Sequence, residues 1–161
     1  MDSRLDPIAQ LYTVNNGLFA AATKDLGQEQ IRARFGQDKG NSLLWVAGHV
    51  VESRYVLGRL IGLEDHWEHG ELFARGAKVQ DEAVYPEFDV IEAAFGGRSK
   101  QLPKRFEELA STQLEAELTI PFPVDKKDVL HSIAFLALHE SYHTGQMVYI
   151  RRLLGGDQVV G

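Results

Sequence analysis

The pattern that most restricts the fold lies near the carboxyl end of the chain, where apolar residues recur with a helical period. The repeat begins near Asp128 and includes Val129, Ile133, Leu136, Met147, Ile150 and Leu153. Arg151 and Arg152, followed by Gly155-Gly156, are typical of a helix end. The segment therefore predicts a long amphipathic helix, whose apolar face must pack against other helices.

Helical patterns in residues 7–19, 44–60 and 88–109 predict three further helices. Asn41 or Ser42 can cap the second of them, which should end near Gly62. No segment favours a β-sheet. These patterns predict an all-α fold with four principal helices.

The segments between these helices differ in character. A short helical turn is expected around Ile31 and Phe35, followed by a polar, glycine-rich connector over residues 36–40. Residues 62–86 have no sustained period and predict a long, partly ordered connection, which is typical of bundles with parallel neighbours. Residues 114–123 should be extended, because a proline disfavours helix at the residue before it.

The third helix contains residues that interrupt its pattern. Gly96, Gly97 and Pro103 lie inside the amphipathic segment that starts at Phe88. A proline within a helix removes one backbone hydrogen bond and bends the helix. We therefore expect one kinked helix.

The overall composition limits the classes of function. The chain has 161 residues, of which 44% are hydrophobic, so one core and a single domain over residues 1–161 are expected. Its 17 basic and 23 acidic residues give a net charge of −6 without a dense basic cluster, which argues against nucleic acid as a partner. With no basic, apolar leader and no long apolar run, we expect a cytoplasmic protein that does not bind a membrane.

The absence of cysteine restricts the chemistry further. The sequence contains none, so it has no disulfide, no thiolate nucleophile and no cysteine ligand for a metal. Any thiol chemistry would need a thiol from outside the chain.

Two histidines on the last helix lie on its apolar face. At about 100° per residue, His139 and His143 are about 40° apart around the helix axis. Buried imidazoles need partners for their nitrogens, and one divalent cation satisfies both at this spacing. A pair of exposed or separately hydrogen-bonded histidines is the competing interpretation of such a spacing.

A third histidine, His49, shares an apolar face of the second helix with Trp45, Val46 and Ser53. Alone it would be read as a hydrogen-bonded core histidine. Three inward histidines on two helices instead predict one site for a divalent metal ion, held by His49, His139 and His143. Imidazole ligands suit zinc, nickel, copper and iron.

The remaining histidines are predicted to lie outside this site. His66 and His69 belong to an acidic segment that is more simply a solvated loop. His131 lies about 80° from His139 around the helix. It fits a surface position near the helix end.

The string HESYH at 139–143 matches HExxH, in which two histidines bind zinc and the glutamate is the general base of a metallopeptidase. Such enzymes need a third ligand, usually downstream. No Glu or His follows His143, and Asp157 is the only downstream carboxylate. With little strand signal to bind an extended peptide, a zinc hydrolase or peptidase is the less favoured alternative.

Two strings resemble the DinB/YfiT-like proteins over nearly the whole chain. LLWVAGHVVE at 43–52 is similar to their second helix, and LHESYHTGQ at 138–146 is similar to their last helix, including Gly-Gln after the second histidine. The resemblance implies a four-helix bundle with an up-down-down-up course and a three-histidine metal site at His49, His139 and His143. It also implies a homodimer.

The resemblance further implies a chemistry. Members of this superfamily include transferases and isomerases that use low-molecular-weight thiols such as bacillithiol or mycothiol. The expected function is a metal-dependent thiol S-transferase or isomerase acting on a small electrophile, with zinc or nickel as the ion. The alternative is a non-enzymatic protein in which the ion ties the second helix to the last one, in a structural or stress-related dimer.

Glu140 lies about 80° from the mean direction of the histidine pair, so it is a candidate base acting from the side of the site. The other interpretation is a carboxylate on the helix surface. Gln146 and Tyr142 are candidates to hydrogen-bond the ligands, whereas Trp45 and Phe135 are expected to form apolar walls.

Overall fold

The structure is a computed structural model, and it describes residues 1–34, 40–119 and 122–159. This part contains seven α-helices, α1 to α7 in chain order: Asp6–Thr23, Gln28–Arg32, Leu43–Leu60, Gly70–Phe73, Phe88–Glu108, Ser111–Leu114 and Val129–Leu153. Two short 3-10 helices cover Ser3–Leu5 and Glu82–Val84. The described residues form no strand, only an isolated antiparallel bridge between Glu117 and Asp128.

Side-chain caps define where the two site-bearing helices begin. The Ser42 hydroxyl accepts a hydrogen bond from the Trp45 backbone N–H at 3.2 Å, and α3 follows. Asp128 accepts from the His131 backbone N–H at 2.8 Å, and α7 follows. Each cap satisfies a backbone donor that has no partner within its helix. The predicted starts of both helices are therefore confirmed.

The long helices α1, α3, α5 and α7 bury two apolar clusters, one toward each end of the molecule. In one cluster, Phe19 and Met147, near the ends of α1 and α7, join residues from the starts of α3 and α5. In the other, Leu5 and Val129 join Leu57 and Phe106, near the ends of α3 and α5. The prediction of an all-α bundle is confirmed. This grouping agrees with an up-down-down-up course, which stays a prediction.

Polar contacts also join α1 to α7. The Asn15 side-chain amide donates to the Ser141 hydroxyl at 3.1 Å, and the Thr144 hydroxyl lies 3.4 Å from the side-chain oxygen Oδ1 of Asn15. Asn15 and Thr144 are buried. Buried polar groups that pair in this way constrain how the two helices align.

Helix α5 is continuous through the residues that interrupt its amphipathic sequence pattern. It runs from Phe88 to Glu108 and contains Gly96, Gly97 and Pro103. The buried side chains Ile91, Phe95, Leu102 and Phe106 lie on both sides of these residues. Tertiary packing thus outweighs the local helix-breaking tendency. The kink itself stays a prediction.

The connection over residues 62–86 is better ordered than its sequence suggests. It contains α4 and a 3-10 helix, and it buries Trp67, Phe73 and Tyr85 in the first cluster. Aromatic side chains of this size bury much apolar surface from few residues. The connection therefore packs as part of the core.

Two predicted connectors lie partly outside the described residues. The turn around Ile31 is α2, whereas Phe35 and residues 36–39 are outside. Residues 120 and 121 of the predicted extended connector are also outside, and its first residue, Leu114, belongs to α6. Within the part that the structure describes, no helix has the length and apolar character needed to cross a bilayer.

Candidate metal centre

Helices α3 and α7 bring three histidine side chains together. The Nε2 atom of His139 lies 3.3 Å from Nε2 of His49 and 3.2 Å from Nε2 of His143. One nitrogen from each ring lies within 4.8 Å of the other two. His49 is buried, and the α7 histidines are partly exposed. The three predicted residues thus form one cluster that could hold a metal ion.

The other ring nitrogens of these histidines determine which atoms are free to bind a metal. His49 Nδ1 lies 2.6 Å from the Phe73 backbone oxygen, and His143 Nδ1 lies 2.7 Å from the Gln146 side-chain oxygen. A carbonyl oxygen only accepts, so both Nδ1 atoms carry the proton. In a neutral imidazole, the opposite nitrogen is then a bare lone pair. Both Nε2 atoms are therefore free to bind a cation.

His139 completes the same arrangement. Its Nδ1 lies 3.4 Å from the Ser53 hydroxyl, which itself donates to the His49 backbone oxygen at 2.8 Å. Because the Ser53 hydroxyl proton takes part in that bond, the Ser53 oxygen accepts a hydrogen bond from His139 Nδ1. If His139 Nε2 carried the proton instead, it could donate to only one of the two neighbouring nitrogens, Nε2 of His49 or Nε2 of His143. The lone pair of the other nitrogen would then have no partner. Three lone pairs that face one another are satisfied by a cation.

The distances agree with the size of a divalent ion. Zinc binds imidazole nitrogens at about 2.0–2.1 Å, so two ligands at a tetrahedral angle are separated by about 3.3 Å. The two observed Nε2–Nε2 separations are 3.2 and 3.3 Å. The residues present therefore fit a metal ion of this class.

The protonation of the cluster favours metal binding at neutral pH. Burial, followed by the charges of His143 and His49, lowers the pKa of His139 to about 4. Burial and the charge of His49 lower the pKa of His143 to about 4. Burial also lowers the pKa of His49, although the Phe73 carbonyl acts in the opposite direction. The rings stay neutral at pH 7, which is the form that binds metals.

A cavity of about 510 Å³ opens onto the three histidines. This volume lies within the range of about 300–1,000 Å³ that small-molecule sites occupy. The walls are mainly apolar, as predicted for Trp45 and Phe135. The lining residues are Trp45, His49, Glu52, Ser53, Val56, Ala74, Arg75, Gly76, Phe122, Pro123, Phe135, Leu136, His139 and His143.

The short helix α4 supports His49 from behind. The Phe73 ring is fully buried against Gly48, at a place where a β-carbon on residue 48 would lie 2.3 Å from the ring. This close approach brings the Phe73 carbonyl to His49 Nδ1. Trp45 stacks on the His49 ring, with ring centres 5.2 Å apart and planes 9° apart. These contacts fix both the orientation and the tautomer of the ring.

Glu140 lies in a buried ion pair with Arg54 of α3. Both residues are 1% exposed, and the guanidinium donates to both carboxylate oxygens at 2.7 Å. The interpretation of Glu140 as a surface carboxylate is therefore wrong. Glu140 is not among the residues that line the cavity. Its predicted catalytic role stays a prediction.

The other predicted residues divide into those near the cluster and those outside it. Gln146 accepts from His143 as expected, and its amide donates to the Tyr142 hydroxyl at 3.0 Å. His66, His69 and His131 are not part of the cluster. His131 Nδ1 instead lies 2.6 Å from the Asp128 carboxylate.

Sequence patterns do not identify several residues of the site. Phe73 and Arg75 belong to the aperiodic connection, so no period assigns them a direction. Glu52 lies three residues after His49, a spacing that places both on one side of α3, and this signal could have identified it. Ser53 was found on the face of His49, but the structure alone shows its contact with His139.

The comparisons with known proteins agree with this architecture. A family model described as the DinB superfamily matches residues 11–147, which include His49, His139 and His143. No curated protein matches the chain.

Proposed function

Since this chain belongs to the DinB superfamily, we propose that it binds one zinc or nickel ion through His49, His139 and His143 and transfers or isomerises small electrophiles with the help of a thiol. The observation that carries the proposal is the convergence of three imidazole lone pairs at a mainly apolar cavity. The cavity provides space for a small substrate beside the ion.

The histidine cluster supports a reactive rather than a closed metal site. An ion held by His49, His139 and His143 would have a coordination position left for a small ligand, and it would lower the pKa of water or a thiol bound there. The chain contributes no cysteine. The thiol would therefore be a low-molecular-weight molecule that enters the cavity together with the electrophile.

The side chains around the cluster hold its geometry and limit water. His49 and His143 each donate their Nδ1 proton, to the Phe73 carbonyl and to Gln146. These bonds orient the Nε2 atoms before any ligand arrives. Phe135 and Val56 contribute apolar walls that disfavour bulk water near a nucleophile.

The peptidase alternative requires Glu140 to act as a general base beside the ion. Both of its carboxylate oxygens accept hydrogen bonds from Arg54 in the interior of the bundle. A base must reach the proton that it removes. The pairing with Arg54 thus favours thiol transfer over HExxH hydrolysis.

A structural role for the ion is favoured by one observation, because its ligands join two helices, α3 and α7. An ion bound there would tie these helices together. Such an ion needs four ligands from protein, whereas a catalytic ion keeps one exchangeable position. Exchange of a small ligand therefore distinguishes the two functions.

The first experiment measures metal content by plasma mass spectrometry after loading with zinc or nickel and desalting. We expect about one ion per chain in the wild type, loss of the ion in His49→Ala, and retention in His131→Ala, which removes a histidine outside the cluster. A wild type that takes up neither metal, or a His49→Ala variant that keeps a full ion, would overturn the metal site.

The second part of this experiment tests the chemistry. The zinc-loaded protein is mixed with bacillithiol or mycothiol and a model electrophile, and thiol consumption is followed. We expect turnover that disappears in His49→Ala and persists in His131→Ala. An ion whose X-ray absorption spectrum shows four protein ligands and no change on thiol addition would support the structural role instead.

Residues exposed on α1 and α7 support a homodimer, which we propose as the assembled form. Leu138, Tyr142, Tyr149 and Leu153 repeat along one outward face of α7, and each is at least 48% exposed. Leu11 and Val14 of the adjoining helix α1 are also exposed. Exposed apolar side chains that repeat along one face of a helix are typical of an interaction site.

A further inference from the structure

Arg75 is the only cationic residue among the described residues that line the cavity. Its side chain makes no hydrogen bond or ion pair with the described residues. Glu52, the acidic residue of the cavity wall, differs in this respect, because its carboxylate accepts from Arg59 at 3.0 Å. The cavity therefore has a charged group of each sign, but only the acidic one is neutralised.

The position of Arg75 is determined by the same contacts that orient His49. Phe73, two residues earlier, is fully buried and accepts from His49 Nδ1. After it, the Ala77 N–H donates to the Ala74 carbonyl at 3.0 Å, and Gly76 adopts a φ of +81°. Glycine adopts this left-handed conformation without strain. Arg75 thus lies in a defined turn at the cavity wall.

The charges around the cavity favour an anionic ligand. Glu52 is paired with Arg59, whereas Arg75 has no anionic partner among the described residues. Arg75 therefore leaves the cavity with a positive charge, in a chain whose net charge is −6. A guanidinium pairs with a carboxylate through two parallel hydrogen bonds, which gives both affinity and orientation.

The other residues of the cavity wall indicate what the rest of the ligand is like. Val56, Phe122, Phe135 and Leu136 present apolar surface to the same space. A ligand that complements both the apolar wall and Arg75 has an apolar body and a carboxylate at one end.

We propose that Arg75 binds the carboxylate of the electrophilic substrate, and that this substrate is a small acid with an apolar or aromatic body. The inference rests on the proposed function and adds the class of substrate. Arg75 is a specificity-determining residue in this proposal, since it selects the acid and orients it toward the histidines.

The test measures binding of two matched probes to the zinc-loaded protein by isothermal titration calorimetry. The probes are 3-phenylpropionate and its neutral amide, which share the same body. We expect the acid to bind at least about tenfold more tightly than the amide, as one charge-assisted pair implies. In Arg75→Gln this preference should disappear, with binding of the amide and zinc content unchanged.

Two further variants control the test. Arg75→Lys keeps the charge but not the paired donors, so it should retain part of the preference. Lys78→Gln removes one positive charge from the same connection at a residue that does not line the cavity, and it should behave as the wild type. Equal binding of both probes, no binding of either, or an acid preference that survives in Arg75→Gln would overturn the proposal.

A second pair of probes separates the substrate from the thiol as the source of the carboxylate. The pair is 3-mercaptopropionate and its amide, titrated into the same proteins. Dependence on Arg75 that is seen only with this thiol acid would overturn the assignment to the electrophile. Failure of the proposed function is distinguished by the zinc content and thiol turnover of the wild type, which do not depend on these probes.

Discussion

At the scale of single residues, a missing side chain at Gly48 allows the site to form. The Phe73 ring occupies the place where a β-carbon on residue 48 would lie, at 2.3 Å. Because interiors are closely packed, neither group can move without disturbing the other. The ring in turn positions the Phe73 carbonyl, which accepts from His49. One glycine on α3 therefore affects the tautomer of a histidine of the cluster on the same helix.

We predict that Gly48→Ala destabilises the protein by about 1–3 kcal/mol, the usual cost of overpacking a core. It should also weaken zinc binding by about tenfold, because His49 loses an oriented acceptor. The measurements are urea unfolding and competition for zinc with a chelator. Gly96→Ala is the matched control, since a β-carbon there meets nothing within 4 Å. The control should be more stable by up to about 1 kcal/mol. Equal stability and zinc affinity in Gly48→Ala and the wild type would contradict the prediction.

At the scale of elements, the ion pair between Arg54 and Glu140 joins α3 to α7 inside the bundle. The Arg54 guanidinium also lies 3.9 Å from the centre of the Phe95 ring and contacts Ser99, both on α5. Glu140 directly follows His139 in α7. The pair thus aligns the two helices whose histidines must meet.

We predict that Glu140→Ala lowers the free energy of unfolding by about 3–5 kcal/mol, because Arg54 would keep an uncompensated buried charge. The double variant Arg54→Met/Glu140→Met should recover most of this loss, since two apolar side chains leave no charge unpaired. Urea unfolding of the wild type and both variants measures the effect. If Glu140→Ala keeps its stability and zinc but loses thiol turnover, the glutamate is catalytic and the structural interpretation is wrong.

At the scale of the whole molecule, the two main surfaces of α7 differ in what they present. One carries His139 and His143 toward α3, and the other exposes Leu138, Tyr149 and Leu153. An apolar face of this length is costly to leave in water. Pairing of two copies through α1 and α7 would cover it.

We predict that the wild type is a dimer and that Leu138→Lys/Tyr149→Lys shifts it to a monomer, because buried lysines without partners oppose association. Light scattering after size-exclusion chromatography measures the mass. Val84→Lys is the control, since Val84 is 51% exposed on the connection and belongs to neither α1 nor α7. A monomeric wild type at micromolar concentration, or a double variant that stays dimeric, would show that this face does not mediate assembly.

The amino-acid sequence by itself determined the four long helices and the three histidines that come together in the cluster. Helical side-chain direction depends only on position within the helix, so the spacing of His139 and His143 and the apolar face around His49 predicted one shared site. The caps at Ser42 and Asp128 act within a few residues, and this is why the starts of α3 and α7 were predicted correctly.

Only the tertiary structure decided what surrounds those three histidines. The Phe73 carbonyl, the partner of Glu140 and the position of Arg75 depend on contacts between segments far apart in the chain. Residues 62–86 lack a period, so nothing local distinguishes their buried aromatic residues from exposed ones. Glu140 shows the same limit within a regular helix: its direction was known, but Arg54 could be identified as its partner only once α3 and α7 were packed together.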